Sequence, residues 1–504
     1  MHSAFSTSSP PAPNSMEVRH VSRRGSSLRL AAAFLILGGL TVLALYELPT
    51  AASAGDVLPV LALGILLVTL TLLSLGAHRA RALHPRQAAF VMWWFLVCSQ
   101  GFFLWETSEG SLLRGSFPLQ AYAEATTWAL VFALLVIVTL GRPQYLERLF
   151  AGANKWLSLY ALACLASVVY SPQPMFSLAW ALRLGLVALV LQMVASLIVN
   201  LDDATTFFRV TLWGFAFLTF ESLIIAFTDP TAFAEGRLGG YLAPDEQSAI
   251  AGTFVLLWLW HYTAHRRRWM IPLGLAGMAL MILSGGKSAI VAATFCGVVF
   301  FLMQKRAGAA LGLFSGIAGL GVVLLLATPL SKYFLSYLAS GSLTSLTGRT
   351  SIWSGTLNVI FQRPVLGHGY VSSRFLFEMV RGPLQWANTH NAFLEAWFNN
   401  GLIGLALILA MHAVILSNLW KVLRMTPSRS RVYLLATGCA VIYLNVLING
   451  MVTASCFGGR TRALFVIFLA LVAFSGRLLH LARQETFRSM LSESRESAPL
   501  SLTR

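Results

Sequence analysis

The chain consists of long apolar stretches separated by short polar segments. A membrane-spanning helix needs roughly 20 mostly apolar residues, and about fourteen stretches approach this length. They are Leu28–Tyr46, Val57–Leu75, Ala89–Trp105, Thr126–Leu140, Trp156–Tyr170, Ala181–Val199, Phe207–Phe227, Gln247–Ala264, Met270–Ser284, Ala289–Met303, Gly308–Thr328, Gly401–Trp420, Val432–Met451 and Ala463–Leu481. Met270–Ser284 and Ala289–Met303 form either a spanning pair or one re-entrant feature. The pattern therefore predicts an all-α polytopic membrane protein with about 12 to 14 transmembrane helices.

Composition supports this class. Of the 504 residues, 57% are hydrophobic and only 11% are charged, whereas soluble proteins carry about 25% charged residues. This argues against a soluble enzyme, a nucleic-acid-binding protein and a disordered protein. The five cysteines are odd in number and lie in or at the ends of apolar stretches. They are typical of small buried residues and not of a disulfide framework.

The net charge of +17 indicates the orientation in the membrane. If the N-terminus is cytoplasmic and the spans alternate, the excess basic residues fall on the inside segments, as the positive-inside rule requires. Both termini are then cytoplasmic, and the charge needs no nucleic-acid partner. Residues 1–27 form a basic, Ser/Pro-rich tail that we expect to be disordered. The first span is too long for a signal peptide and lacks a clear cleavage site, so we interpret it as an anchor.

The same topology divides the chain into five parts. After the tail, residues 28–327 carry the first eleven spans, residues 328–400 form an outer loop, residues 401–481 carry the last three spans, and residues 482–504 form a cytoplasmic tail. Loops longer than about 15 residues are usually functional or disordered. This one has helix-like apolar spacing in Ile352–Phe361 and Phe393–Phe398. We therefore expect a folded segment that lies against the membrane.

Several cations lie on the outer side, where the overall charge is neutral. Five are in the long loop: Lys332, Arg349, Arg363, Arg374 and Arg381. Arg237 lies in another outer loop, Lys287 lies between two spans, and Arg183 lies near the outer end of its span. Arginine binds phosphate through two parallel hydrogen bonds, which suggests a pocket for an anionic lipid head group. Snorkelling to phospholipid phosphates remains the alternative for each cation.

Fewer residues are candidates for acid–base chemistry. His390 precedes an amphipathic helix on the outer side and has the pKa range of a general base; His368, in a glycine turn, is a weaker rival. Glu221 lies within a span, where it is either functional or paired with an arginine. Asp202-Asp203 resembles a metal-binding pair, but it lies inside and is better explained by capping of the next helix. The sequence has no Walker loop and no Cys/His metal spacing, so we expect neither a metal nor a cofactor.

Four motifs resemble those of one family. His390-Asn391, followed by nine residues and Gly401-Leu402-Ile403-Gly404, matches the H-[NSQ]-x9-G-x-x-[GTY] pattern of O-antigen ligases. Three further segments resemble motifs of the same O-antigen ligase and polymerase (Wzy_C-like) superfamily, over roughly 171–459 in all: Thr347–Trp353 with Pro364–Tyr370, Gly236–Gly240, and Leu283–Ala289. The chain departs from the family where Pro244-Asp245-Glu246 replaces an Asn-Pro or Pro-Asn pair, where Lys287 replaces an arginine, and in two extra N-terminal spans.

The resemblance implies a metal-independent, inverting glycan transferase of the GT-C class in the bacterial inner membrane. The donor would be a glycan on undecaprenyl diphosphate. The acceptor would be a lipid A-core sugar in a ligase, a growing polysaccharide in a polymerase, or a protein Ser/Thr in an oligosaccharyltransferase. Arg237 and Arg349 match the family arginines, and His390 matches the histidine that deprotonates or positions the acceptor. We expect Lys287, Asn391 and Arg183 to contribute to substrate binding.

The alternative is a flippase for lipid-linked oligosaccharide, or another polysaccharide transporter. About fourteen spans are common in flippases, but such proteins build their site at mid-membrane from internally repeated helices. We find no internal repeat, and the polar chemistry concentrates in one outer loop. The sequence therefore favours glycan transfer.

The orientation can be tested with a reporter enzyme that is active only in the periplasm. Fused at Gly341 or Gly382, it should be active, because the long loop lies outside. Fused after Arg431, it should be silent, because that basic connection lies inside. Activity at Arg431 would reverse the topology.

Overall fold

The computed structural model describes residues 85–102, 150–228, 233–234, 237–239, 243–327, 331–332, 349–373, 389–428, 430–459 and 462–496. The predicted N-terminal tail and the spans Leu28–Tyr46, Val57–Leu75 and Thr126–Leu140 lie outside these residues. Arg374 and Arg381 of the long loop also lie outside them.

The described part of the chain is helical apart from one short β-ribbon. The helices are α1 Pro85–Phe102, α2 Asn154–Ala166, α3 Pro174–Leu197, α4 Leu201–Thr228, α5 Pro244–His265, α6 Met270–Leu283, α7 Lys287–Met303, α8 Ala307–Ala327, α9 Arg349–Ile360, α10 Ala392–Met425, α11 Arg431–Gly450 and α12 Ala463–Glu496. The ribbon pairs β1 Phe233–Ala234 with β2 Arg237–Leu238. Each predicted span in this part corresponds to a helix, and the spacing noted in Ile352–Phe361 corresponds to α9.

Five of the described helices contain a segment long and apolar enough to cross a membrane. These segments are Pro174–Leu197, Ala307–Leu324, Ala392–Met425, Arg431–Gly450 and Ala463–Phe487. Shorter apolar helices, among them α6 and α7, accompany them. The predicted class, an all-α polytopic membrane protein, is confirmed.

Helix α5 lies at the centre of the bundle. Every residue from Glu246 to His261 is buried, and the helix contacts α4, α6, α7 and α11. A helix that is apolar all round is expected to be surrounded by other helices. Because α5 is fixed on all sides, the position of its N-terminal residues, Pro244 and Asp245, is also fixed.

Helix α10 is broken at Asn400–Gly401. Asn400 has φ −122° and ψ 17°, and Gly401 has φ 62° and ψ −161°, a combination that is essentially restricted to glycine. The break divides α10 into a short segment, 392–399, and a long apolar segment that begins near Leu402. The span Gly401–Trp420 expected from the sequence lies within the long segment; its start at Gly401 stays a prediction.

The break is closed by the segment Pro364–Tyr370. The Leu402 N–H donates to the Pro364 carbonyl (2.9 Å), and the His368 and Gly369 N–H groups donate to the carbonyls of Phe398 (2.9 Å) and Asn399 (2.8 Å). These groups would lack helical partners at a break. The fit depends on glycine, because a Cβ on Gly367 would lie 2.4 Å from the Gly401 nitrogen.

Tyr370 anchors the other end of this segment to the bundle. Its N–H donates to the Ser167 hydroxyl (2.9 Å), its carbonyl accepts from the Ser177 hydroxyl (2.7 Å), and its phenol donates to the Gly459 carbonyl (2.9 Å). The segment therefore joins the break in α10 to α2, α3 and the connection between α11 and α12.

Candidate functional site

Arg237 is held between the turn that joins α6 to α7 and the N-terminus of α5. Its Nε donates to the Ser284 carbonyl (3.2 Å), and its Nη2 lies 2.5 Å from Asp245 Oδ1. The arginine side chain is largely buried, with 11% exposed, whereas 65% of the Asp245 side chain is exposed. The predicted arginine therefore has a fixed guanidinium beside a solvent-accessible carboxylate.

Two glycines allow the turn between α6 and α7 to lie against α5. Gly285 has φ 65°, and a Cβ on Gly286 would lie 2.5 Å from the Ser248 Cβ and 3.3 Å from the Asp245 Cα. The Ser248 hydroxyl donates to the Met281 carbonyl (2.9 Å) and fixes this contact. The turn thus brings Ser284 and Lys287 to the N-terminus of α5.

Three predicted cations converge here. The Lys287 ammonium experiences repulsion from Arg237 and Arg349 and attraction from Asp245. Arg349 is the first residue of α9, so the three cations come from three separate connections. Like charges held together in partial burial raise the free energy of the site. An anion bound between them would lower it.

His390 lies in the tight turn before α10 and has φ 49°, in the left-handed region that is uncommon for residues other than glycine. The Thr389 hydroxyl donates to the Asn391 carbonyl across this turn (2.7 Å). The Asn391 Oδ1 accepts from the N–H groups of Phe393 (2.9 Å) and Leu394 (3.1 Å) and so caps α10, while its Nδ2 donates to the Met451 carbonyl (3.2 Å). These contacts hold Asn391 in place and so fix the backbone position of the preceding residue, His390. Its predicted contact with substrate stays a prediction.

Glu395, which the sequence analysis missed, joins three segments around His390. Its buried carboxylate accepts from the Ser373 hydroxyl (2.5 Å), the Thr389 N–H (3.2 Å) and the Asn399 Nδ2 (3.2 Å). A buried carboxylate is stabilised only when such donors surround it. The one feature of the sequence that could have indicated Glu395 is the presence of an acidic residue in the otherwise apolar segment 393–398.

The charges around His390 favour its neutral form. Burial lowers the pKa of the imidazole, the Arg349 charge lowers it further, and Asp245 opposes these effects. The same Arg349 and Asp245 act on Lys287, so His390, Arg349, Asp245, Lys287 and Arg237 form one site, which we call the cation cluster. A neutral imidazole beside cations can accept a proton while the cations hold an anion.

His368 has a different environment. Its Nε2 donates to the Val359 carbonyl (2.9 Å), and its ring packs on Phe398. Burial lowers the pKa of His368, and the nearby Arg363 adds to this effect, while the hydrogen bond to Val359 opposes it. These contacts connect α9 to α10, so His368 serves a structural purpose in this fold.

Arg183 is held by α1 and by its own helix. Its Nη2 donates to Gln100 Oε1 (3.0 Å), and its guanidinium lies over the Trp180 ring. These contacts do not join it to the cation cluster, and its predicted contact with substrate stays a prediction.

The acidic residues of α4 that the sequence singled out are Asp202, Asp203 and Glu221. Asn200 and Asp203 cap the start of the helix reciprocally. The Asp203 N–H donates to Asn200 Oδ1 (2.8 Å), and the Asn200 N–H donates to Asp203 Oδ2 (3.4 Å). Asp202 pairs with Arg431 (3.1 Å). Glu221 is buried, and no described arginine forms an ion pair with it. Among the residues described, no group of His, Cys, Asp and Glu could hold a metal ion.

Sequence reasoning also missed a buried ion pair between Glu246 and Arg462. Glu246 follows Asp245 in the first turn of α5, and Arg462 immediately precedes α12. Removing one member of such a pair is costly, because the other charge is left buried. The pair therefore fixes the end of α5 that carries Asp245.

Comparison with known proteins finds one family to which part of the chain is similar. The family model for O-antigen ligase (Wzy_C) matches residues 272–409. The chain is 29% identical over 195 residues to an O-antigen ligase of Pseudomonas aeruginosa, and 26% identical over 286 residues to the exopolysaccharide production protein ExoQ of Rhizobium meliloti. These matches support the resemblance to the O-antigen ligase and polymerase superfamily.

The similarity to these superfamily members is partial. The aligned regions cover 37% of this chain and 45% of the P. aeruginosa protein, and 50% of this chain and 62% of the R. meliloti protein. The chain thus spans less than two thirds of either curated relative. The range matched by the family model contains Lys287, Arg349, His390 and the break at Gly401, while Arg237 and Asp245 precede it.

The depressed pKa of His390 predicts the pH dependence of activity. If His390 acts as the base in its neutral form, kcat/KM should be constant near pH 7 and fall only below the ordinary histidine pKa of about 6.5. His390→Ala should lose roughly 10² to 10⁴ in rate and lack this acid limb. His480→Ala, at an exposed histidine on α12, is the matched control and should keep the wild-type profile. An acid limb above pH 7, or one that persists in His390→Ala, would contradict the assignment.

Proposed function

We propose that this protein transfers a glycan from undecaprenyl diphosphate to an acceptor hydroxyl on the periplasmic face of the inner membrane. The observation that carries the proposal is the convergence of Arg237, Lys287 and Arg349 beside a half-buried histidine in a membrane protein that matches the O-antigen ligase family model. O-antigen ligase is our first choice, and an O-antigen or exopolysaccharide polymerase is the second.

The chemistry follows from the charges of the cation cluster. The acceptor oxygen attacks the anomeric carbon of the donor glycan, and the bond between that carbon and the diphosphate oxygen breaks with its electrons on the diphosphate. The hydroxyl proton passes to the neutral imidazole of His390. The three cations stabilise the charge that develops on the diphosphate, as preorganised cations do in other phosphate sites. Attack from the side opposite the leaving group inverts the anomeric carbon.

The site and the names of the similar proteins support a diphosphate-linked donor and a glycan acceptor. A diphosphate is a good leaving group and matches a site with several cations. The family model and the P. aeruginosa relative are both named O-antigen ligase, which favours lipid A-core as the acceptor. The R. meliloti relative is named an exopolysaccharide production protein, which supports a growing polysaccharide as the second choice.

The placement on the periplasmic face is supported by the two ends of α10. His390 immediately precedes its N-terminus, whereas Lys421 and Arg424 lie in its last turns and Arg431 begins the next helix. The helix contains 34 residues, and at about 1.5 Å per residue its two ends lie tens of ångströms apart. If the basic connection is cytoplasmic, the cation cluster is near the opposite surface.

A flippase is the alternative. Broken helices are common in transporters, where the freed backbone groups line a cavity and bind the transported ion or substrate. In α10, by contrast, the carbonyls of Phe398 and Asn399 and the N–H of Leu402 bond to the Pro364–Tyr370 segment. The break therefore serves packing, which favours the transferase.

The proposal is tested with purified protein in liposomes that contain undecaprenyl-diphosphate-linked glycan and lipid A-core. The wild type should transfer glycan, and EDTA should leave this activity unchanged. Arg349→Lys should lose about a hundredfold in rate, or about 3 kcal/mol of transition-state stabilisation, because a point charge cannot replace the planar fork. Arg424→Lys, at the other end of α10, is the matched control and should transfer normally.

Three results would each refute a part of the proposal. Full transfer by Arg349→Lys would remove the arginine from the donor site. Movement of the lipid-linked glycan across the bilayer, with the acceptor never modified, would identify a flippase. Loss of activity in EDTA with recovery in Mg²⁺ would refute metal independence.

A further inference from the structure

Asp245 is a feature of this chain that the proposed mechanism does not use. It follows Arg237 by eight residues and lies in the first turn of α5. The Asp245 Oδ1 lies 2.5 Å from the Arg237 Nη2. A carboxylate of the chain thus occupies the group that is proposed to hold the donor diphosphate.

Asp245 has the properties of an exchangeable ligand. Its side chain is 65% exposed, so water can solvate the carboxylate when an incoming anion takes its place on Arg237. It lies in the first turn of α5, where a carboxylate is also stabilised by the helix dipole. The carboxylate can therefore leave Arg237 at small cost, and the exposed side is open to an incoming anion.

The backbone at Asp245, in contrast, is fixed. The next residue, Glu246, forms the buried ion pair with Arg462, and the Asp245 Cα packs close to Gly286. Because the chain cannot move away, the displaced carboxylate stays near Arg237 and competes continuously with other anions for it.

We propose that Asp245 is a counter-ion that excludes single-phosphate lipid head groups from Arg237 and is displaced by the diphosphate of the donor. This inference rests on the proposed function. A phospholipid phosphate that bound Arg237 would only replace the Asp245 carboxylate with another anion, so its binding would be weakly favourable. A diphosphate carries two phosphate groups, so it can contact Arg349 or Lys287 while it displaces Asp245 from Arg237. The donor is thereby selected over the far more abundant phospholipids of the same leaflet.

The test compares Asp245→Asn with wild type in nanodiscs of digalactosyl diacylglycerol, a neutral lipid without phosphate, with and without phosphatidylglycerol. In neutral lipid, Asp245→Asn should have a KM for the lipid-linked donor that is about threefold to fivefold lower, the range expected for loss of a partly exposed ion pair. Phosphatidylglycerol should raise the KM of this variant several-fold and leave that of the wild type nearly unchanged. Asp202→Asn removes an exposed carboxylate that pairs with Arg431, and it should behave as wild type in both lipids.

Asp245→Glu keeps the charge and should resist phosphatidylglycerol as the wild type does. A Glu variant that is as sensitive as the Asn variant would overturn the counter-ion role. An Asn variant whose KM is unchanged or higher in neutral lipid would also overturn it, as would a reduced kcat with no change in KM. Because each of these results requires a wild type that transfers glycan, they are distinct from failure of the proposed function, in which the wild type transfers none.

Discussion

The break in α10 at Asn400–Gly401 is the constraint on which the rest of the described structure depends. Near a bilayer, backbone N–H and C=O groups without partners cost several kcal/mol each. Here the carbonyls of Phe398 and Asn399 and the N–H of Leu402 bond to the Pro364–Tyr370 segment. A helix that would otherwise run straight is thereby divided, and the segment Pro364–Tyr370 becomes part of the packed structure.

The break also positions the residues to which we assign the chemistry. It separates the short helical segment 392–399 from the membrane span, and this segment carries Asn391 as its cap and Glu395 as a buried joint to Ser373 and Thr389. His390 is held in a left-handed conformation between them. The opposite side of the site is built on the fixed end of α5, where Arg237 and Asp245 meet. The cation cluster therefore combines groups that are far apart in sequence.

The sequence predicted the helical class and the resemblance to O-antigen ligases, because span length and motifs are properties of the chain itself. It did not predict Glu395 or the pair of Glu246 with Arg462, since a buried charge is recognised only from the donors around it. The substrate contact of Asn391 stays a prediction, and its amide caps α10 and donates to Met451. Capping and ligand binding use the same side-chain groups, so spacing cannot separate them.

The most direct test of this account is Gly401→Ala, measured as transfer rate in purified, folded protein. A Cβ at position 401 would lie 2.0 Å from the Val365 carbonyl oxygen, and the backbone conformation is essentially restricted to glycine. The segment must therefore move, and displacement of His390 by about 1 Å should reduce the rate about a hundredfold. Gly316→Ala, where a Cβ meets no atom within 4 Å, should transfer normally. Wild-type activity in Gly401→Ala would contradict the central role of the break.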